Sequence, residues 1–104
     1  MNEPVAREIV IRNKQGLHAR PATLFVKLAN EFKSEIFLVR GNERVDARSM
    51  MDLLTFGAGQ GTRLVLEARG DDAHEAVEAL AQLVEVGFLD EDAEDEQSQA
   101  EECK

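Results

Sequence analysis

Gly16-Leu17-His18-Ala19-Arg20-Pro21-Ala22 brings a nucleophile, a cation and a fixed turn together in seven positions. Pro21 belongs in the first turn of a helix, where a missing N–H costs least. That places His18 or Ala19 at the helix start. Ser, Thr, Asp or Asn is the ordinary cap there, so a histidine breaks a local preference, as functional sites tend to do. A helix start presents backbone N–H groups and a partial positive charge, and it accepts anions readily. A neutral imidazole is a nucleophile. If the ring took up a phosphoryl group, the helix field would favour the added charge by about 0.3–1 kcal/mol at an exposed site. Arg20 can donate charge-assisted hydrogen bonds to phosphate oxygens. Gly16 permits close backbone approach to a partner. His74 has no Arg or Pro companion nearby and is read as inert.

The elements that must position this segment follow from periodicity. Val5 to Arg12 alternates well enough for a strand, and Asn13-Lys14-Gln15-Gly16 is turn chemistry. Phe25, Leu28, Ala29 and Phe32 form one apolar stripe of a helix ending near Asn30. Ile36 to Arg40 predicts a second strand, turned at Gly41-Asn42 into a short third strand around Val45 to Ala47. Ser49 is a good N-cap for a short helix carrying Met50, Met51, Leu53 and Leu54, closed by a loop containing Gly57, Gly59 and Gly61. Thr62 to Arg69 alternates cleanly as a fourth strand. Asp71 or Asp72 then caps a last helix with the stripe Ala76, Val77, Leu80, Leu83 and Val84. The order is βαββαβα, and one-faced strands with one-striped helices bury their apolar surface as two layers.

Charge is unevenly distributed along the 104 residues. The net charge is −9, but Leu89 to Lys104 alone carries eight acidic residues against one lysine. Residues 1–88 hold eleven basic and thirteen acidic residues and are nearly neutral. The chain therefore divides into a folded unit over 1–88 and an acidic tail over 89–104. The tail is expected to be solvated, disordered and solubilising. No basic stripe suggests nucleic-acid binding. The lone Cys103 makes no internal disulfide, and no Cys/His cluster has metal-ligand spacing. No leader or membrane-spanning segment is apparent, so a cytoplasmic protein without a cofactor is expected.

The segment at 16–22 resembles, throughout its length, the active-site motif of the HPr family of bacterial phosphocarriers. The resemblance extends to Ser49 before its short helix, to Gln60-Gly61-Thr62 before the last strand, and to the Gly70 turn, covering roughly residues 5–88. It implies an α+β fold, an open-faced β-sandwich with a four-stranded antiparallel sheet and three helices on one face. It implies that His18 is phosphorylated on Nδ1 by Enzyme I charged from phosphoenolpyruvate. His18 would then pass the group to EIIA domains of the sugar phosphotransferase system, with Arg20 stabilising it. The chain would be a monomeric carrier more than an enzyme. A regulatory, nitrogen-branch (NPr-like) carrier is the alternative, and the acidic extension favours that comparison. Against a histidine phosphatase, Leu17 precedes His18 and Ala19 follows it where that chemistry needs an Arg immediately before His-Gly.

Ala19, Lys27, Met50, Met51 and Leu54 are candidate docking residues around His18, methionine being an adaptable contact for more than one partner. The spacing leaves open which of Met50, Met51, Leu53 and Leu54 face the core. Ser49 is a candidate for regulatory phosphorylation by an HPr kinase/phosphorylase, as in some branches of the family. Asp52 departs from the basic residue often found at that place in the family, which puts docking on an acidic EIIA surface in doubt.

Overall fold

The computed structural model describes residues 3–88. The acidic tail expected over 89–104 lies outside the described residues. The elements run β1 (Val5–Val10), α1 (Ala19–Ala29), β2 (Glu35–Arg40), β3 (Glu43–Asp46), α2 (Met50–Phe56), β4 (Arg63–Arg69) and α3 (Ala73–Glu85). The order is the βαββαβα read from periodicity. The strands form one antiparallel sheet in the order β1-β4-β2-β3.

Register decides which side chains share a face. Ile9 pairs with Leu64, Leu66 with Leu38, and Ala68 with Ile36. All six are buried beneath the helices. The helix stripes answer them. Phe25 and Ala29 of α1 are buried, as are Ala76, Val77, Leu80, Leu83 and Val84 of α3. Leu28 and Phe32 are half-buried and pack on the same core. α3 lies across β1 and β4, α1 packs between α3 and α2, and α2 leans on β3. The other face of the sheet is open. Phe37, Val39 and Val65 are half-buried there, and the Arg44 guanidinium stacks 4.2 Å over the Phe37 ring while bonding Glu67 at 3.0 Å.

Two details depart from expectation. The third strand starts at Glu43, two residues before Val45, because Glu43 already pairs with Arg40 across a turn that holds Gly41 at φ +59°. Asp72 occupies the N-cap position of α3, but its carboxylate makes no capping bond. It reaches back to the α1–β2 connection instead. One oxygen accepts the Lys33 backbone N–H at 2.9 Å, and the other accepts the Ser34 N–H at 3.0 Å and the Ser34 hydroxyl at 2.5 Å. These donors, the Ser34 hydroxyl first and the Lys33 N–H next, hold the Asp72 carboxyl below its ordinary value. Gly70 makes the approach possible, since a Cβ there would lie 2.5 Å from Ser34 Oγ. Arg48 ties the same connection from α2's side by donating to the carbonyls of Phe32 and Ser34.

Candidate functional site

The site begins in the turn before α1. Asn13 is buried, its amide donates to the Gly16 carbonyl at 2.8 Å, and the Gly16 N–H returns to the Asn13 carbonyl at 3.2 Å. Gly16 adopts φ +71°, where a Cβ would collide with the Ala58 carbonyl and lie 2.7 Å from Gly59 Cα. The Leu17 N–H then bonds the Ala58 carbonyl at 2.8 Å, and the Leu17 side chain is buried. The turn is thereby fastened to the α2–β4 loop on one side and to its own first residue on the other. Asn13 and Ala58 were not singled out from sequence. Asn13 read only as turn chemistry, and the role of Ala58 depends on a contact across more than forty positions.

His18 follows as the N-cap of α1, with an extended backbone (φ −104°, ψ −163°) and no side-chain capping bond. Its carbonyl accepts the first helical bond, from the Ala22 N–H at 2.9 Å. A capping side chain would accept from the second or third helical residue. The third is Pro21, which has no N–H. The imidazole is therefore held at the helix start without being committed to the cap, and its Nε2 is buried. First-turn N–H groups from Ala19 and Arg20 project toward the same region, and that turn contains no acidic residue.

The remaining predicted residues lie on α1 and α2. Arg20 and Lys27 are exposed and line one shallow groove on α1 with Ala19, Thr23 and Leu24. The Thr23 hydroxyl bonds the Ala19 carbonyl at 2.8 Å and reaches Met50 Sδ at 3.9 Å, which brings α2 alongside the groove. Leu53 and Phe56 turn into the core, leaving Met51 75% and Leu54 43% exposed. Met50 is half-buried and packs partly on the core. Ser49 caps α2, its hydroxyl accepting the Asp52 N–H at 3.1 Å. His74 is exposed, at the edge of a depression shared with Glu3, Asp71 and Glu75, apart from these groups. Among the described residues no group of three or more His, Cys, Asp or Glu side chains could hold a metal ion. No helix among them is long and apolar enough to cross a membrane.

A histidine at a helix N-cap, with an arginine in the first turn that follows, can receive an anion. Residues 5–86 match the family model described as the PTS HPr component phosphorylation site. The HPr-like protein Crh of Bacillus subtilis is 43% identical over 81 residues, covering 78% of this chain and 95% of Crh. The phosphocarrier protein NPr of Shewanella violacea is 42% identical over 82 residues, covering 79% of this chain and 90% of NPr. The crystal structure of HPr-C-His from Thermoanaerobacter tengcongensis superposes with a TM-score of 0.78 at 45% identity, covering 81% of this chain and 94% of that one. The chain belongs to the HPr family and is a phosphocarrier of the phosphotransferase system, a carrier and not an enzyme.

Proposed function

We propose that His18 is the relay point of this carrier, taking a phosphoryl group from charged Enzyme I in the cytoplasm and delivering it to EIIA domains of the sugar phosphotransferase system. An N–P bond forms at Nδ1 as the bond to the donor breaks, and the reverse happens at the acceptor. The observation that supports this is the placement of His18 at the N-cap of α1, uncommitted to capping. The buried Nε2 favours Nδ1 as the reacting nitrogen. The helix field and Arg20 then face the added charge. Ala19, Lys27, Met50, Met51 and Leu54 form the docking rim.

Incubation with phosphoenolpyruvate and Enzyme I tests the assignment. Wild type acquires an acid-labile phosphate and His18→Ala does not; equal labelling of both proteins refutes it. The nitrogen branch is the second reading, favoured by the 42% identity to NPr. Purified EIIA proteins of each branch separate the two by which one accepts the group.

Ser49 is a second acceptor in this proposal, its hydroxyl serving an HPr kinase/phosphorylase. The similarity to Crh supports asking the question. A phosphate there would rest on the α2 N-terminus and add charge between Met50 and Asp52, opposing docking.

A further inference from the structure

We propose that Asn13 is a positioning residue for phosphoryl transfer, holding the His18 backbone in place through a carbonyl that the two residues share. The Gly16 carbonyl accepts the Asn13 side-chain amide at 2.8 Å and the His18 N–H at 3.0 Å. A backbone carbonyl can only accept, so it is the amide nitrogen of Asn13 that faces it. The Gly16 N–H bonds the Asn13 carbonyl at 3.2 Å, so Asn13 grips Gly16 from both ends. The Leu17 N–H goes to the Ala58 carbonyl at 2.8 Å. The bond from His18 back to Gly16 closes a three-residue turn. That turn leads into the extended His18 backbone from which α1 starts. By bonding the same carbonyl, the Asn13 amide fixes the plane of the peptide on which His18 hangs.

The surroundings of Asn13 are built to hold it. The residue is 6% exposed, and a polar side chain is costly to bury unless it is hydrogen-bonded. An apolar residue of the same size would avoid that cost, so stability alone does not call for an amide here. The chain before it is fixed by three bonds. The Ile11 N–H meets the Thr62 carbonyl at 3.0 Å, the Gly61 N–H meets the Ile11 carbonyl at 2.7 Å, and the Gln60 amide meets the Arg12 carbonyl at 3.0 Å. Gly87 lies against the Asn13 side chain, where an added Cβ would be 3.9 Å from the Asn13 Cβ. Gly87 and Phe88 have φ +66° and +60°, and Phe88 is fully buried. A bulky residue keeps positive φ only where packing over-determines it. The chain after α3 is thereby pinned beside Asn13. The amide thus connects the end of β1 and the end of α3 to the backbone of the histidine. Misplacing a reacting group by about 1 Å can cost on the order of 100-fold in rate. Asn13 acts through Gly16 and not on the reacting atoms. The effect on transfer rests on His18 being the phosphoryl acceptor; the hold on the turn does not.

Asn13→Leu in the full chain removes the donor and keeps the volume. With the variant as the substrate of Enzyme I, kcat should fall about five-fold or more while KM stays within about two-fold, because the rim on α1 and α2 is untouched. In amide hydrogen exchange, Leu17 and His18 should speed up about five-fold more than the amides of β4. Val77→Ala, in the buried stripe of α3, is the control for stability. It should lower the melting temperature and leave both kcat and the relative exchange of Leu17 and His18 unchanged. Asn13→Ser, too short to reach the carbonyl, takes the place of the leucine variant if that one does not fold, with the same split expected. A raised KM at unchanged kcat, an exchange increase uniform over the fold, or a kcat loss matched by Val77→Ala overturns the proposal. A wild type that takes no phosphate, while Leu17 and His18 exchange faster in Asn13→Leu, refutes the relay reading alone.

Discussion

Asp72 and Ser34 are joined by two hydrogen bonds to one carboxylate oxygen, from the Ser34 backbone at 3.0 Å and from its hydroxyl at 2.5 Å. The bond fixes the start of α3 to the α1–β2 connection, so a single side chain sets how two helices meet. It also makes stability depend on acid. The folded-state carboxyl titrates below its ordinary value. The stabilisation is therefore complete above the unfolded value and is lost as pH falls through the lower, folded one. Asp72→Asn should lower the melting temperature at pH 7 and reduce the loss of stability on acidification through and below the ordinary carboxylate range. Thermal melts across that range test it, and parallel curves for the two proteins would remove Asp72 from the acid transition.

Gly16→Ala should cost about 2–3 kcal/mol, because the new Cβ meets the Ala58–Gly59 backbone and the residue must keep positive φ. Urea unfolding measures the loss. Phosphoryl uptake should fall as well, since the loop that carries His18 has to shift.

His18→Ser and His18→Ala should both abolish phosphoryl uptake. Serine can cap through the Arg20 N–H but finds none at Pro21, so the Ser variant should be the more stable by only about 0.5 kcal/mol. A gap well above about 1 kcal/mol would mean that the first turn rearranges.

Arg20→Ala should leave the melting temperature unchanged, because the side chain is exposed on α1. Loss of a charge-assisted bond worth about 1.5–3 kcal/mol predicts transfer slowed roughly ten- to hundred-fold. Rapid-quench measurement of transfer from Enzyme I decides it, and unchanged kinetics would exclude Arg20 from the chemistry.

Met51→Asp should preserve stability and weaken delivery to EIIA, whereas Leu53→Ala should cost about 2–5 kcal/mol. Denaturation paired with an EIIA transfer assay separates an outward from an inward side chain two positions away.

Much of this was legible along the chain. Pro21 fixed the helix start and so exposed His18 as an unusual cap, and the stripes of α1 and α3 predicted the buried faces. What could not be read were choices among partners remote in sequence. Asp72 could bond its own helix or the Ser34 loop, and only the close approach at Gly70 decides. Arg7 shares its face of β1 with Ile9 and so lies on the helix side, where Glu78 and Glu85 each hold it at 3.2 Å. The α2 residues were ambiguous because seven residues make barely two turns, too few for a stripe to define itself.

The proline at the third position of α1 has one more consequence. A helix start with its full complement of donors would grip an incoming phosphate and give it up slowly. At Pro21 one of those donors is missing, because proline carries no N–H. Fewer fixed donors mean a shallower well for the cargo. In a relay, each station must hold its load less firmly than the next, and the thinned first turn of α1 suits a site from which departure is as easy as arrival.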